Sequence, residues 1–199
     1  MTERLGEIIE TNSFFFVAES FTLNRPPALG ELVKVPTGAE EWAYAVVTYG
    51  ETAAIDPGRQ PVRRSKADAY DEAVYTEHPE LEHLLRTMFT AVLVGQKAGG
   101  GPSQRLPDHP PPMHYSVHRC DPFEVTQFVR KLLYLRTLAS AQMLTPVEQV
   151  LAANLRWTYR ALGETGREWL DGAALEVAAL LQQDVEKLLG VLYAVDPEA

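Results

Sequence analysis

Phe14-Phe15-Phe16-Val17-Ala18-Glu19-Ser20-Phe21 is the stretch on which the fold turns: four phenylalanines and a valine in eight residues favour an extended strand over a helix. Upstream, Leu5 to Ser13 carries Ile8 and Ile9 and reads as a preceding strand. Downstream, Asn24-Arg25-Pro26-Pro27 breaks the pattern, because two prolines have no N–H to give to a ladder. Leu29-Gly30 leads into Glu31-Leu32-Val33-Lys34-Val35, whose alternation sets Leu32 apart from Val33 and Val35 and predicts one wet face. Thr37-Gly38 makes a turn. Trp42 to Ile55 follows as one long strand or two, with Trp42, Tyr44, Val46 and Thr48 on one parity and Ala43, Ala45, Val47 and Tyr49 on the other. An open sheet of four closely spaced strands leaves edges and a face unburied, so closure into a barrel is the economical arrangement.

The turn-rich Asp56-Pro57-Gly58-Arg59 ends this run. Between Asp68 and Arg86, Tyr70, Val74, Leu81, Leu84 and Leu85 are spaced for short helices, with Pro79 where a first helical turn would begin. Met88 to Val94 returns to strand chemistry. Gly99-Gly100-Gly101-Pro102, Pro107 and Pro110-Pro111-Pro112 then form a loop too rich in breakers for a regular element, and His114 to Cys120 resumes as a strand. The two late strands complete the early four, six in all.

From Asp121 onward the chain reads as helical. Asp121-Pro122-Phe123-Glu124, Thr145-Pro146-Val147-Glu148 and Thr165-Gly166-Arg167-Glu168 each place a capping side chain three residues before a glutamate, the capping-box spacing, and so predict three helix starts. One apolar stripe joins Val125, Phe128, Val129, Leu132, Leu135 and Leu138. Another joins Leu170, Ala174, Val177, Leu181, Val185, Leu188 and Leu192. Such stripes pack on each other and on the barrel, or form an oligomer interface.

The chain has 199 residues and a net charge of −9, and acids outnumber bases in each third of it. Nucleic-acid affinity rests on neutralising phosphates with Lys and Arg, so tight binding by this chain alone is not expected. The single cysteine, Cys120, excludes an intrachain disulfide. The amino-terminal residues lack the basic start and apolar run of a secretory signal, and no apolar run approaches the ~20 residues that span a bilayer. The expectation is a soluble, cytoplasmic protein with no membrane partner.

Three clusters carry candidate chemistry. His114, Ser116, His118 and Cys120 share one face of a strand, and two imidazoles with a thiolate are zinc-ligand types. However, residues four apart on a strand are separated by ~13 Å, so only His118 and Cys120 are near enough to share an ion, and that with a residue from elsewhere. Ordinary barrel positions account for them better, with Cys120 as a small buried hydrophobe. Asp68, Asp71, Glu72, Glu77, Glu80 and Glu82 are acidic at helical spacing with no accompanying lysine, which is the pattern of a solvated face. Arg59, Arg63 and Arg64, after Asp56-Pro57-Gly58, put three guanidinium groups on a loop suited to a partner carboxylate or phosphate. Gly-x-Ser-x-Gly is absent, and Gly99 to Gly101 continue without the lysine of a phosphate loop, so no nucleophile or nucleotide motif is present and no cofactor is expected.

Leu5-Gly6-Glu7-Ile8-Ile9-Glu10, Phe16-Val17-Ala18-Glu19, Leu29 to Val35, and Tyr44-Ala45-Val46-Val47 running to Ile55-Asp56-Pro57-Gly58-Arg59 together resemble the HAS-barrel family. This is the small barrel at the amino terminus of HerA-type DNA translocases and, in related form, of rotary ATP synthase catalytic subunits. The stretch from Leu85 to Gly95 and the proline-rich lead into His114 to Pro122 resemble the continuation in stand-alone bacterial members. The resemblance covers about residues 1–120 and implies a barrel that helps subunits form rings or dock partners. The motor of the translocases is missing.

The expected fold is α+β: a closed six-stranded barrel over residues 1–120 with a helical insertion at about 66–86, then a three-helix region over 121–199. The expected function is non-catalytic, an assembly or adaptor protein for a protein partner or a homo-oligomer, meeting nucleic acid only through a complex. Asp56, Arg59, Arg63 and Arg64, together with the barrel edges, are the expected contact surface. Two alternatives are a metal-dependent hydrolase using His118, Cys120 or the carboxylate cluster, and a barrel that binds DNA directly.

Overall fold

The computed structural model describes residues 2–58 and 61–195. Six antiparallel strands, β1 (Arg4–Thr11), β2 (Phe15–Ser20), β3 (Leu32–Gly38), β4 (Glu41–Ala54), β5 (Leu85–Lys97) and β6 (Ser116–Arg119), close into a barrel in the order β1-β2-β5-β4-β3-β6. Early and late strands therefore share one sheet. The β1–β2 turn is set by Asn12, whose side-chain oxygen accepts the N–H groups of Phe14 and Phe15 at 2.8 and 2.9 Å. β4 is a single strand, and closure leaves the barrel proper without edges, which removes the barrel edges from the expected contact surface.

Period two sorts the side chains. Ile8, Phe16, Ala18, Val33, Val35, Ala43, Ala45, Val47, Phe89, Ala91, Leu93 and Val117 fill the interior. Leu32, Tyr44, Val46, Val92 and Val94 face outward into a second core shared with the helices. The wet face expected for β3 is therefore dry: Leu32 and Lys34 are both buried, because helices cover that side.

The insertion holds α1 (Glu72–Glu77) and a 3₁₀ turn over Pro79–His83, and β5 begins at Leu85, inside the stretch read as helical. The last strand is shorter than expected. His114 has φ +64°, so the chain is kinked there and the ladder starts at Ser116.

Beyond the barrel lie α2 (Pro122–Phe128), α3 (Leu133–Ser140), α4 (Val147–Leu162), α5 (Gly166–Leu180) and α6 (Val185–Val195). The helical region begins where expected, but two of the three predicted helices are interrupted. Gln104 stitches the first break: its Nε2 donates to the carbonyls of Phe128 and Lys131 at 2.7 and 2.5 Å, and its Oε1 accepts Tyr134 N–H at 3.0 Å. The second break follows Leu181, and Asp184 accepts Lys187 N–H at 3.1 Å to start α6. Of the three predicted capping boxes only Asp121–Glu124 forms. The Thr145 hydroxyl instead donates to Thr48 O of β4 at 2.6 Å, and Thr165 is already helical, after a 3₁₀ turn at Gly163–Thr165, with its hydroxyl bonded to Leu162 O.

Helix α4 seats on the barrel at Gly30. This residue has φ +81°, and a Cβ there would lie 2.3 Å from Asn154 N, so only glycine lets the helix backbone come this close. Asn154 Nδ2 donates to Gly30 O at 2.8 Å, and its Oδ1 accepts the buried Tyr134 hydroxyl at 2.9 Å.

Candidate functional site

β4 and β5 run on past the barrel as a two-stranded arm. β3 pairs with β4 up to Val46 and β2 with β5 from Met88, whereas β4 and β5 stay paired as far as Ala54 and Leu85. At the tip, the chain turns at Asp56, whose carboxylate accepts Gly58 N–H at 2.9 Å. The return segment and the 3₁₀ turn then enclose a cleft of about 350 Å³ lined by Ile55, Pro61, Val62, Leu81, Leu84 and Leu85, with Asp56, Arg64 and His83 at its margin.

Of the predicted partner-binding residues, Asp56 and Arg64 border this apolar cleft. Arg63 is exposed, and Arg64 reaches Glu80 at 3.3 Å. Lys66 similarly lies 3.6 Å from Glu77. Two of the loop cations are thus engaged with the acidic insertion, and the carboxylates read as a solvated face are in part their counter-ions. Arg59 lies outside the described residues.

The His118 and Cys120 pair is drawn into packing. His118 stacks edge-on to Trp42 at 5.6 Å, and its imidazole pKa is held down by burial and then by the Lys34 charge. Cys120 is buried in the outer core, where burial pushes its thiol pKa well up. Among the described residues, no three His, Cys, Asp or Glu side chains are placed to hold a metal ion.

Beside them sits a charge pair that the strand pattern did not reveal. Lys34, buried on β3, bonds both carboxylate oxygens of Glu124 and lies 4.6 Å over the Trp42 ring. Glu124 also accepts Asp121 N–H at 3.0 Å, so one carboxylate both caps α2 and ties it to the barrel. Nearby, the buried Glu31 accepts Ala28 N–H at 3.0 Å and lies 2.9 Å from Arg119 Nη1, an ion contact without hydrogen-bond geometry. Burial is the main cause that raises its carboxyl pKa, opposed by the Ala28 bond and the Arg119 charge.

The helical end carries an exposed apolar surface that the sequence pattern misplaced. The stripe predicted to run from Leu170 to Leu192 is rephased at the break after Leu181. Val191 and Val195 are buried, while Val185, Leu189, Leu192 and Tyr193 stay 62, 45, 44 and 79% exposed. The signal available in the sequence was that almost every position of α6 is apolar, with only Glu186 and Lys187 charged.

A further hollow of about 510 Å³ lies beside Gln104, bordered by Arg105, Arg130 and Lys131. Among the described residues no helix is long and apolar enough to cross a membrane. No family model matches the chain, and no curated protein matches it.

Proposed function

We propose that this chain is a non-catalytic assembly or adaptor protein of the HAS-barrel kind, a rigid barrel that carries docking surfaces into a larger complex. The observation that carries this reading is α6. A helix with only Glu186 and Lys187 charged is too apolar to face water on one whole side, and α6 buries Val191 and Val195 on its own domain while presenting Val185, Leu189, Leu192 and Tyr193 outward. The surface that fits it is an apolar groove or helix face on a protein partner, because an amphipathic helix is recognised through anchors at i, i+4 and i+7 or i+8. The arm-tip cleft with Asp56 and Arg64, together with the exposed Arg63 next in the chain, is a second contact in the same reading.

Co-purification of the tagged full chain from native lysate, followed by mass measurement of the assembly, tests it. The expected result is a stoichiometric complex that Leu189→Glu with Tyr193→Glu abolishes while the fold is retained. A monomer with no interactor, or a complex indifferent to both changes, would count against the reading.

A further inference from the structure

Hydrogen-bond parity identifies which backbone groups of the arm are open. Ile55 N–H donates to Leu84 O at 2.9 Å, so Ile55 and Leu84 form a directly bonded antiparallel pair, one step beyond Ala54↔Leu85 in the register. Alternation makes Ala53·Arg86 and Glu51·Met88 the next bonded pairs, and it turns the N–H and C=O of Gly50, Thr52 and Ala54 away from β5. Thr48 shares their parity and behaves accordingly, its carbonyl accepting the Thr145 hydroxyl at 2.6 Å. The last β3-side bonds reach Val47, from Gly30 and to Glu31. The register shift between Val47 and Tyr49 then changes which parity faces outward. Beyond Thr48, no other segment among the described residues bonds this edge of β4.

We propose that a second copy of this chain adds its own β4 edge antiparallel to this one, across a two-fold axis at Thr52. The inference rests on the assembly reading and adds to it the surface used for self-association. Its warrant is self-complementarity. With Thr52 facing Thr52, Gly50 faces Ala54 of the second copy, and each copy's open donors meet the other's open acceptors. Tyr49 then faces Ile55 of the second copy at both ends, an aromatic and β-branched cross-strand pair. Glu51 faces Ala53, so no like charges stand opposite one another.

The charges are complementary one strand further on. Arg86 lies beside Ala53 in the register, makes no ion pair among the described residues, and has a buried Nε without an acceptor. In the paired arms, Glu51 looks across the small Ala53 of the second copy towards that copy's Arg86. The separation is two strand spacings, about 10 Å between Cα atoms, which a glutamate and an arginine extended towards each other bridge. Glu51 has an oxygen to spare, since only its Oε2 takes the Tyr49 hydroxyl, at 3.1 Å. An unrelated strand would meet the same backbone groups but not this pairing of charges, which is why the occupant is a second copy.

Sedimentation velocity of the full chain over a wide concentration range tests the proposal. The wild type is expected to dimerise. Thr52→Pro is expected to be monomeric with an unchanged near-UV spectrum, because the N–H it removes points out of the arm and the β4–β5 ladder keeps its bonds, while Thr87 Oγ1, which loses the Thr52 hydroxyl at 2.7 Å, keeps Asn24 N–H at 2.7 Å. Thr52→Val, which loses the same hydroxyl but keeps the N–H, is expected to dimerise like the wild type. Glu51→Arg and Arg86→Glu are each expected to weaken the dimer about fivefold, and the two together are expected to restore it. A monomeric wild type, or a dimer that survives Thr52→Pro, overturns edge pairing. A dimer lost in Leu189→Glu but kept in Thr52→Pro overturns it as well, while leaving the assembly reading standing. A monomer that also captures no partner through α6 overturns both.

Discussion

Inside the barrel, Ile8, Phe16, Val33, Ala45, Phe89, Leu93 and Val117 meet without a polar atom among their side chains. In the seam between barrel and helices, the same kind of apolar packing around Leu32, Tyr44, Val46, Phe128 and Leu151 is threaded by Asn154, Tyr134, Lys34 and Glu124. The difference follows from the backbone. The interior residues lie on strands whose backbone groups bond the neighbouring strand or, as at Ile8, Val47 and Leu93, the segment that continues it, so the side chains have only to fill space. The seam joins turns and broken helices whose carbonyls have no ladder partner, and side-chain donors supply what is missing. Asn154 serves Gly30 O, Gln104 serves Phe128 O and Lys131 O, and Trp169 Nε1 serves Val129 O at 3.0 Å. Asn154, Gln104 and Trp169 thus mark irregular backbone beneath them, whereas Lys34 lies in a regular ladder and serves the Glu124 carboxylate.

Substitutions that act differently on the two cores test this contrast. The largest loss is expected for Gly30→Val, which adds left-handed strain and a clash with the α4 backbone; about 4 kcal/mol by urea denaturation is the expected cost. Phe89→Ala empties the interior and should cost about 3 kcal/mol, with the midpoint shifting and the denaturant slope unchanged. Asn154→Leu keeps seam volume but strands Gly30 O and the Tyr134 hydroxyl. About 2 kcal/mol is expected, and a cost near zero would break the contrast.

The smallest effect concerns pH. Burial raises the folded-state pKa of Glu31 above its ordinary value of 4.5, so the folded state holds the proton more tightly than the unfolded one. Its contribution therefore leaves stability unaffected below 4.5 and lowers it as pH climbs from there through the raised value. Glu31→Gln keeps an acceptor for Ala28 N–H, and it should flatten that part of the stability profile and leave neutral-pH stability no lower. A steeper slope would show that the Arg119 contact outweighs burial.

The interior was readable in advance because alternation is a local signal. Ala43, Ala45 and Val47 share a parity and share the inside of the barrel. Tyr49 escaped the pattern because the register shift after Val47 moves it to the other side, and a bulge has no signature in an alternating run. The Asp121 cap was readable because its partners lie three residues apart. Thr145 looked identical and caps nothing, since its hydroxyl found a strand carbonyl instead. At the arm, Asp56, Arg63 and Arg64 were legible as a loop. The cleft behind them was not, because Leu81, Leu84 and Leu85 arrive from the far side of the insertion.

Residue order alone determined the strand-rich first half, the breaker-rich loop before His114, the helical second half, and an excess of acids over bases in each third of the chain. These follow from side-chain alternation, from proline's missing N–H and from charge, each of which acts within a few residues. Only the tertiary structure decided that β5 lies between β2 and β4, that the outer face of β3 is dry, that one arm keeps an open edge, and that α6 faces outward. Those outcomes depend on contacts such as Asn154 with Gly30, 124 residues apart, where the bond partner of a backbone group is chosen by packing and not by its neighbours in the chain.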